Sequence, residues 1–278
     1  MNPAAASARA KAEALARKLA GQMRRLTERA LEPRIEAMTG LASIERTQPN
    51  DVFICGYPKS GNTWFQHMTA AVVYGTDVEL APDTLLNELV PDVHFKAYYR
   101  RFSDPAFFKS HHLPRPSYRR IVYLLRDGRD AMVSYYHHLT ATTGAVDFLT
   151  TVKNGEGLFP SKWHEHVDRY MDNPYQADMI VVRYEDLKRD PLGQLRRFCE
   201  FARIDRDEAT LARAIAKTSF ATMRSKEQKQ GWETPGWPKD KPFVRRGEVG
   251  SYRDEMPPEV LQAFLQDAQR TLASQGYL

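Results

Sequence analysis

The segment Val52-Phe-Ile-Cys-Gly-Tyr-Pro-Lys-Ser-Gly-Asn-Thr-Trp64 constrains the fold more than any other stretch of this chain. Val52 to Cys55 is a short apolar run that reads as a buried strand. Gly56 ends it, and the turn Pro58-Lys59-Ser60-Gly61 follows. Trp64, Phe65, Met68, Val72 and Val73 then recur at helical spacing. A strand, a loop of small residues and a helix N-terminus together make an anion cradle. The first helical N–H groups lack partners within the helix, and the positive end of its dipole faces the loop. Lys59 adds a full positive charge, and Ser60 and Thr63 add hydroxyl donors. The usual nucleotide pattern, G-x-x-x-x-G-K-[ST], places Lys directly after the second Gly. Here Lys59 precedes Gly61, and Asn62 takes the following slot. The loop is therefore built for phosphate, but not in the manner of an ATP site.

The rest of the chain alternates in the same way. Apolar strands are predicted at 52–56, 106–110, 120–125 and 178–183, and helices at 62–75, 128–142, 161–172, 191–202, 207–217 and 257–274. Continuous apolar strands alternating with helices argue for an α/β fold: a central parallel sheet with helices on both faces. Ligands of such sheets sit at the carboxyl ends of the strands. Lys59, His111 and Arg126 each follow a predicted strand and can converge there. Residues 225–242, polar and rich in Gly and Pro around Trp232 and Trp237, read as a long loop that serves as a lid.

The chain has 278 residues and 42% hydrophobic content, enough for one core, so residues 46–278 are expected to form a single domain. Residues 1–45 read as a basic helical arm. Leu15, Leu19, Met23, Leu26 and Ala30 share one helical face, with Arg and Lys opposite. Pro33 is expected to end or bend this helix. The arm reads first as packing on the body or on a second subunit of a homodimer. A peripheral contact with anionic membrane is the alternative. Two cysteines, Cys55 and Cys199, make no disulfide framework, and no apolar run approaches the ~20 residues of a membrane span. A cytoplasmic location is expected. The net charge of +5 does not point to a nucleic-acid partner, because the basic residues fall in separate loop patterns rather than one stripe.

The pattern Tyr57-Pro-Lys-Ser-Gly-Asn-Thr-Trp64 resembles the donor-binding loop of PAPS-dependent sulfotransferases of the cytosolic, small-molecule type. Family members most often carry Thr where this chain has Asn62. The resemblance assigns Lys59, Ser60, Gly61, Asn62, Thr63 and Trp64 to the 5′-phosphate region of the co-substrate PAPS. A second match is Ile121-Val-Tyr-Leu-Leu-Arg-Asp-Gly-Arg-Asp-Ala-Met-Val-Ser-Tyr-Tyr-His137, similar to the family's 3′-phosphate site, with Arg126 and Ser134 as its contacts. An Arg fork suits a phosphate monoester. A third, Phe243-Val-Arg-Arg-Gly-Glu-Val-Gly-Ser-Tyr-Arg253, resembles the segment that closes over the same phosphate and adds Arg245, Arg246 and Gly247. Read alone, two adjacent arginines are solvated surface charge. Ser251 and Tyr252 depart from the family's common Asp-Trp. Weaker echoes assign Tyr184 to the adenine, Thr218 to the base or ribose, and Phe220 to stacking near the adenine.

Phe107-Phe-Lys-Ser-His-His-Leu-Pro114 resembles the family's Lys-Thr-His-Leu-Pro segment, which carries the catalytic base, but has one residue more. Counting from Lys109 makes the base His111; counting back from Leu113-Pro114 makes it His112. Alternation along an emerging strand puts Lys109 and His111 on one face and favours His111. The resemblance implies sulfuryl transfer from PAPS to an acceptor hydroxyl, with His111 removing the proton. Lys59 would stabilise the leaving phosphate oxygen, and Lys109 would support the acceptor or the sulfuryl oxygens. No metal is implied. Phe95, Tyr98, Tyr99, Phe102, Phe107, Trp232 and Trp237 are candidates to line a pocket for a small apolar or aromatic acceptor: an alcohol, phenol, sterol or lipid. Two other function classes stay open at this stage. One is a small-molecule kinase on a related loop. The other is a non-catalytic protein that binds nucleotide and membrane.

Overall fold

The computed structural model describes Met23, Thr27 and residues 30–34, 36–232, 237–238 and 240–278. In chain order its elements are β1 (Leu41–Ser43), β2 (Val52–Gly56), α1 (Asn62–Tyr74), α2 (Asp83–Leu89), β3 (Tyr98–Arg100), β4 (Phe107–Ser110), β5 (Arg120–Leu125), α3 (Gly128–Thr143), α4 (Phe148–Asn154), α5 (Trp163–Asp172), β6 (Asp178–Arg183), α6 (Tyr184–Arg189), α7 (Pro191–Ala202), α8 (Glu208–Lys217), α9 (Phe220–Gln230), α10 (Tyr252–Glu255) and α11 (Pro258–Ser274).

The chain divides into two compact units. The larger comprises residues 47–96 and 102–278; the smaller comprises the described residues up to Arg46 with Ala97–Arg101. In the smaller unit β1 and β3 pair antiparallel, Leu41 opposite Arg100 and Ser43 opposite Tyr98. Residues 30–34 and 36–39 are helical, so Pro33 does not end the helix there. Most of the amphipathic face expected from Leu15 to Ala30 lies outside the described residues.

The larger unit is built on a four-stranded, wholly parallel sheet in the order β4-β2-β5-β6. Both faces of β2 are buried, as its unbroken apolar run requires. Val52 and Ile54 join Phe65, Met68 and Val72 of α1 in one cluster. Phe53 belongs to the opposite face, where its ring lies 5.1 Å from Phe108 and 3.9 Å from Tyr118. Full burial of each such side chain contributes roughly 1.5–3 kcal/mol. The chain runs from β2 to β4 on one side, then returns to β5 on the other. The strand order therefore switches at β2, and a crevice opens where the loops after β2, β4 and β5 diverge.

The four sheet strands and six helices predicted from periodicity agree with the structure to within two residues. The loop expected over 225–242 is corrected: α9 continues to Gln230. Ser219 caps its start by accepting from the Thr222 N–H at 3.2 Å. The helix conceals itself in sequence because one buried position of its polar stretch is Lys226, whose Nζ donates to the Ala81 carbonyl and to Asp83, both at 2.7 Å. Of the lid expected there, residues 233–236 and 239 lie outside the described residues.

Candidate active site

Four carboxyl ends of the sheet carry the site. Lys59 follows β2, His111 follows β4, Arg126 follows β5 and Tyr184 follows β6. Together with Trp232 and residues 243–248 they line a cavity of about 550 Å³.

The loop between β2 and α1 is wound tightly. Ser60 N–H donates to the Tyr57 carbonyl at 3.2 Å, and Asn62 Nδ2 donates to the same oxygen at 2.9 Å. Lys59 has φ +70° and Gly61 φ +95°. A left-handed non-glycine residue is held against its preference, as ligand-binding loops often are. At Gly61 a Cβ would lie 2.9 Å from the Tyr184 ring, so a side chain would push the ring out of place. No side chain caps the first turn of α1, so its N–H groups remain available to an anion. The Ser60 hydroxyl is buried without a hydrogen-bond partner among the described residues.

The cationic wall follows. Lys59 Nζ lies 4.4 Å from the centre of the Phe243 ring and has no carboxylate partner among the described residues. Burial, then the charges of Lys109, Arg126 and Arg245, push its pKa down to about 7. Arg126 is nearly buried. Its NH1 donates to the Lys59 carbonyl at 3.1 Å and its NH2 to the Glu248 carbonyl at 2.9 Å, while its Nε has no partner among the described residues. Its guanidinium lies 4.3 Å from the centre of the Tyr184 ring, whose edge also meets Trp64. Arg245 and Arg246 both pair with Glu255, and Arg246 also pairs with Glu248. At Gly247, φ is +64° and a Cβ would lie 2.5 Å from the Phe220 ring. Lys188 lines the same end of the cavity.

Asp130 ties the second and third sequence patterns together. It is wholly buried one turn after Arg126 and accepts from the N–H groups of Gly250 and Tyr252 at 2.7 and 2.9 Å. The segment that carries Arg245, Arg246 and Gly247 thus hangs from the first turn of α3.

His111 is held on every side. Its backbone N–H donates to His94 Nε2 at 2.8 Å, and His166 Nε2 lies 3.3 Å from its carbonyl. Its own Nδ1 lies 2.8 Å from the Gly56 carbonyl. A carbonyl only accepts, so Nδ1 carries the proton and Nε2 keeps the lone pair. Burial, reinforced by the nearby Lys109 charge, pulls the ring's pKa well below its ordinary value, so it is neutral at pH 7. His112 does not line the cavity; its carbonyl accepts from Tyr170 OH at 2.8 Å. Lys109 lines it, with Nζ 3.0 Å from Asp92 and 3.3 Å from Thr63 Oγ1.

Of the predicted site residues the structure gathers Lys59, Gly61, Asn62, Thr63, Trp64, Lys109, His111, Arg126, Ser134, Tyr184, Phe220, Arg245, Arg246 and Gly247 around this cavity. Thr218 does not face it. That residue is fully buried, its hydroxyl donates to the Ala214 carbonyl at 2.7 Å, and its own carbonyl accepts from Trp64 Nε1 at 2.7 Å. Among the aromatic candidates Phe95 and Trp232 line the cavity, whereas Phe107 packs in the core and Phe102 is half exposed. Tyr98 and Tyr99 belong to β3. Trp237 stacks on His138, which does line the cavity, at 5.4 Å. Sequence reasoning missed His67, Asp92, Asp130, His94, His138 and Phe243. Asp130 had a signal, an acidic residue in the first turn of a helix four residues after Arg126, and Phe243 opens the third matched segment; the others had none.

Comparison with known proteins bears on this geometry. The chain matches the sulfotransferase domain family over residues 49–276. It is 26% identical to rat sulfotransferase 1C2, over 75% of this chain and 78% of that protein. It is also 26% identical to cytosolic sulfotransferase 17 of Arabidopsis thaliana, over 83% of this chain and 77% of that one. Among solved structures it resembles retinol dehydratase in complex with androsterone and PAP, with TM-score 0.62, 20% identity and 82% of each chain covered. It likewise resembles mouse sulfotransferase SULT7A1 complexed with PAP, with TM-score 0.58 and 20% identity over 81% of this chain and 85% of that one. With the family matched across nearly all of the larger unit, the chain belongs to the sulfotransferase family.

Proposed function

We propose that the chain transfers the sulfuryl group of PAPS to a hydroxyl of a small acceptor that carries an apolar or aromatic body. One observation carries this reading. A cradle of uncapped helix N–H groups and cations opens into the same cavity as a neutral histidine whose Nε2 lone pair has no partner among the described residues. The cradle fits a nucleotide with phosphates at two positions. The loop of Lys59 to Trp64 takes one. Arg126 Nε, buried without a partner, and the adjacent arginines take the other. Tyr184 and Phe220, each packed against a loop glycine, provide flat surfaces for a base.

When bound, PAPS supplies an activated sulfuryl group. His111 Nε2 takes the acceptor's hydroxyl proton as the new oxygen–sulfur bond forms. Lys59 balances the charge left on the phosphate oxygen as the old bond breaks, a contact stronger in the transition state than before it. Asp92 and Thr63 hold Lys109 beside this point. The steps need no metal. A cytosolic setting accords with the relative named as cytosolic.

The test has two parts. PAP should raise the melting temperature and ATP should not, and label from sulfur-35 PAPS should pass to a phenol. Stabilisation by ATP alone would favour a phosphoryl-transfer enzyme. PAP binding without transfer to any hydroxyl would favour a non-catalytic nucleotide-binding protein.

A further inference from the structure

Four of the chain's eight histidines, His67, His94, His111 and His138, line the cavity, and the reaction proposed above uses one. Burial lowers the pKa of each. Each ring is therefore neutral near pH 7, with one donor and one lone pair. For two of them the partners fix which nitrogen is which. His111 bonds through Nδ1 to a carbonyl, so Nε2 is its lone pair. His94 is the reverse. Its Nε2 lies 2.8 Å from the His111 N–H, which can only donate, so Nε2 accepts and Nδ1 carries the proton. The rings are nearly parallel neighbours, centroids 5.6 Å apart and planes at 21°. The Phe159 ring meets His94 edge-on at 5.2 Å, and Asp92 accepts from the His94 backbone N–H at 3.0 Å, so its position is set from both ends. His94 Nδ1 has no hydrogen-bond partner among the described residues.

We infer that His94 is a second acceptor-contact residue: its Nδ1–H binds an oxygen adjacent to the hydroxyl that His111 deprotonates, so acceptors with two neighbouring oxygens are preferred. This rests on the sulfotransferase reading above and adds the acceptor class to it. One ring takes a proton and its neighbour gives a hydrogen bond. With bonds of roughly 2.8 Å each, rings at this spacing reach two oxygens on adjacent carbons. Catechol is the simplest aromatic case, and phenol lacks the second oxygen. Hydroquinone carries its second oxygen too far around the ring.

The experiment measures the affinity of catechol, phenol and hydroquinone for the protein–PAP complex by calorimetry, in wild type, His94→Phe and His94→Gln. PAP affinity is measured first in each. Wild type should bind catechol roughly five- to tenfold tighter than phenol or hydroquinone, the value of one hydrogen bond. His94→Phe should bring the catechol-to-phenol ratio close to one. His94→Gln, whose amide keeps one acceptor and one donor, should restore much of the preference. The ratio cancels any uniform loss from the missing partner of the His111 N–H, which a merely structural role would cause. A ratio near one in wild type, no catechol binding to the PAP complex, or a preference unchanged in His94→Phe overturns the assignment while the donor site stands. Failure of PAP to bind wild type takes down the sulfotransferase reading and this inference together.

Discussion

The two ends of the cavity are built on different principles. At the donor end the walls are loops that follow strands, with Gly61 and Gly247 letting backbone lie against ring faces, and a cluster of cations in which Lys59 has no carboxylate partner among the described residues. At the acceptor end the walls come from many scattered segments. His67 stands on α1, His94 after α2, His111 after β4, His138 on α3, and Trp232 beyond α9. Phosphate presents the same charge and shape to every protein, so one compact stretch of backbone can specify its site. An acceptor is recognised by shape and by a few hydrogen bonds, and any element that reaches the cavity can supply them. The donor end carries Lys59 with no carboxylate partner among the described residues, whereas the charges beside the acceptor-end histidines are paired, Lys109 with Asp92 and Lys226 with Asp83, and the histidines themselves are kept neutral.

Removing one group from each end tests this division most directly. His111→Ala should lower single-turnover transfer by roughly 10²–10⁴, the range for a general base, while PAP affinity stays within a few-fold. His112→Ala should be milder, since that residue does not line the cavity. A dead His112→Ala beside an active His111→Ala would move the base by one position. Lys59→Met should cost about 10²–10³ in turnover, as deletion of a transition-state electrostatic contact does. Near-normal turnover there would remove the charge-balancing role.

Within the donor end the effects should be graded by burial. Arg126 is nearly buried with an unpartnered Nε, whereas Arg246 is more exposed and already paired with Glu248 and Glu255. Arg126→Ala should weaken PAP binding by roughly ten- to a hundredfold, the value of a charge-assisted hydrogen bond. Arg246→Ala should weaken it less. Both should leave adenosine 5′-phosphosulfate, which lacks the 3′-phosphate, comparatively untouched. Equal losses for the two nucleotides in calorimetric titrations would disprove the 3′-phosphate assignment.

The same contrast governs how much could be read before the structure. The sheet strands were legible because apolar runs of four to six residues leave few alternatives, and Lys59 and Arg126 were legible because they sit at strand ends. Thr218 was assigned to the nucleotide from its neighbours in sequence. It instead turns inward to cap its own helix, where its carbonyl fixes Trp64. α9 was hidden because Lys226, polar in any periodicity count, is one of its buried residues. Histidine marks no periodicity at all. His94 and His138 become recognisable only when the chain brings them to the wall that holds His111.

The smallest expected effect is the uptake of a fraction of a proton at the donor end. Lys59, with its pKa lowered to about 7, is largely deprotonated in the unliganded protein at pH 8, whereas in the unfolded chain it would be charged up to about pH 10. Between those limits the unfolded state binds more protons, so stability of the unliganded protein should rise with pH in that window through this group. A bound polyanion acts in the opposite sense. It restores the charge on Lys59, so PAP binding at pH 8 should take up part of a proton, and affinity should fall as pH rises above about 7. The phosphates of PAP are already ionised at that pH, their second pKa being near 6, and so contribute little. Calorimetry in buffers of different ionisation enthalpy measures the uptake. It should vanish in Lys59→Met. Acceptor binding to the PAP complex should show none, because the four histidines at that end are neutral before and after. Proton uptake that survives in Lys59→Met would mean that another group carries the waiting charge, and uptake on acceptor binding would mean that the acceptor end is not electrically silent.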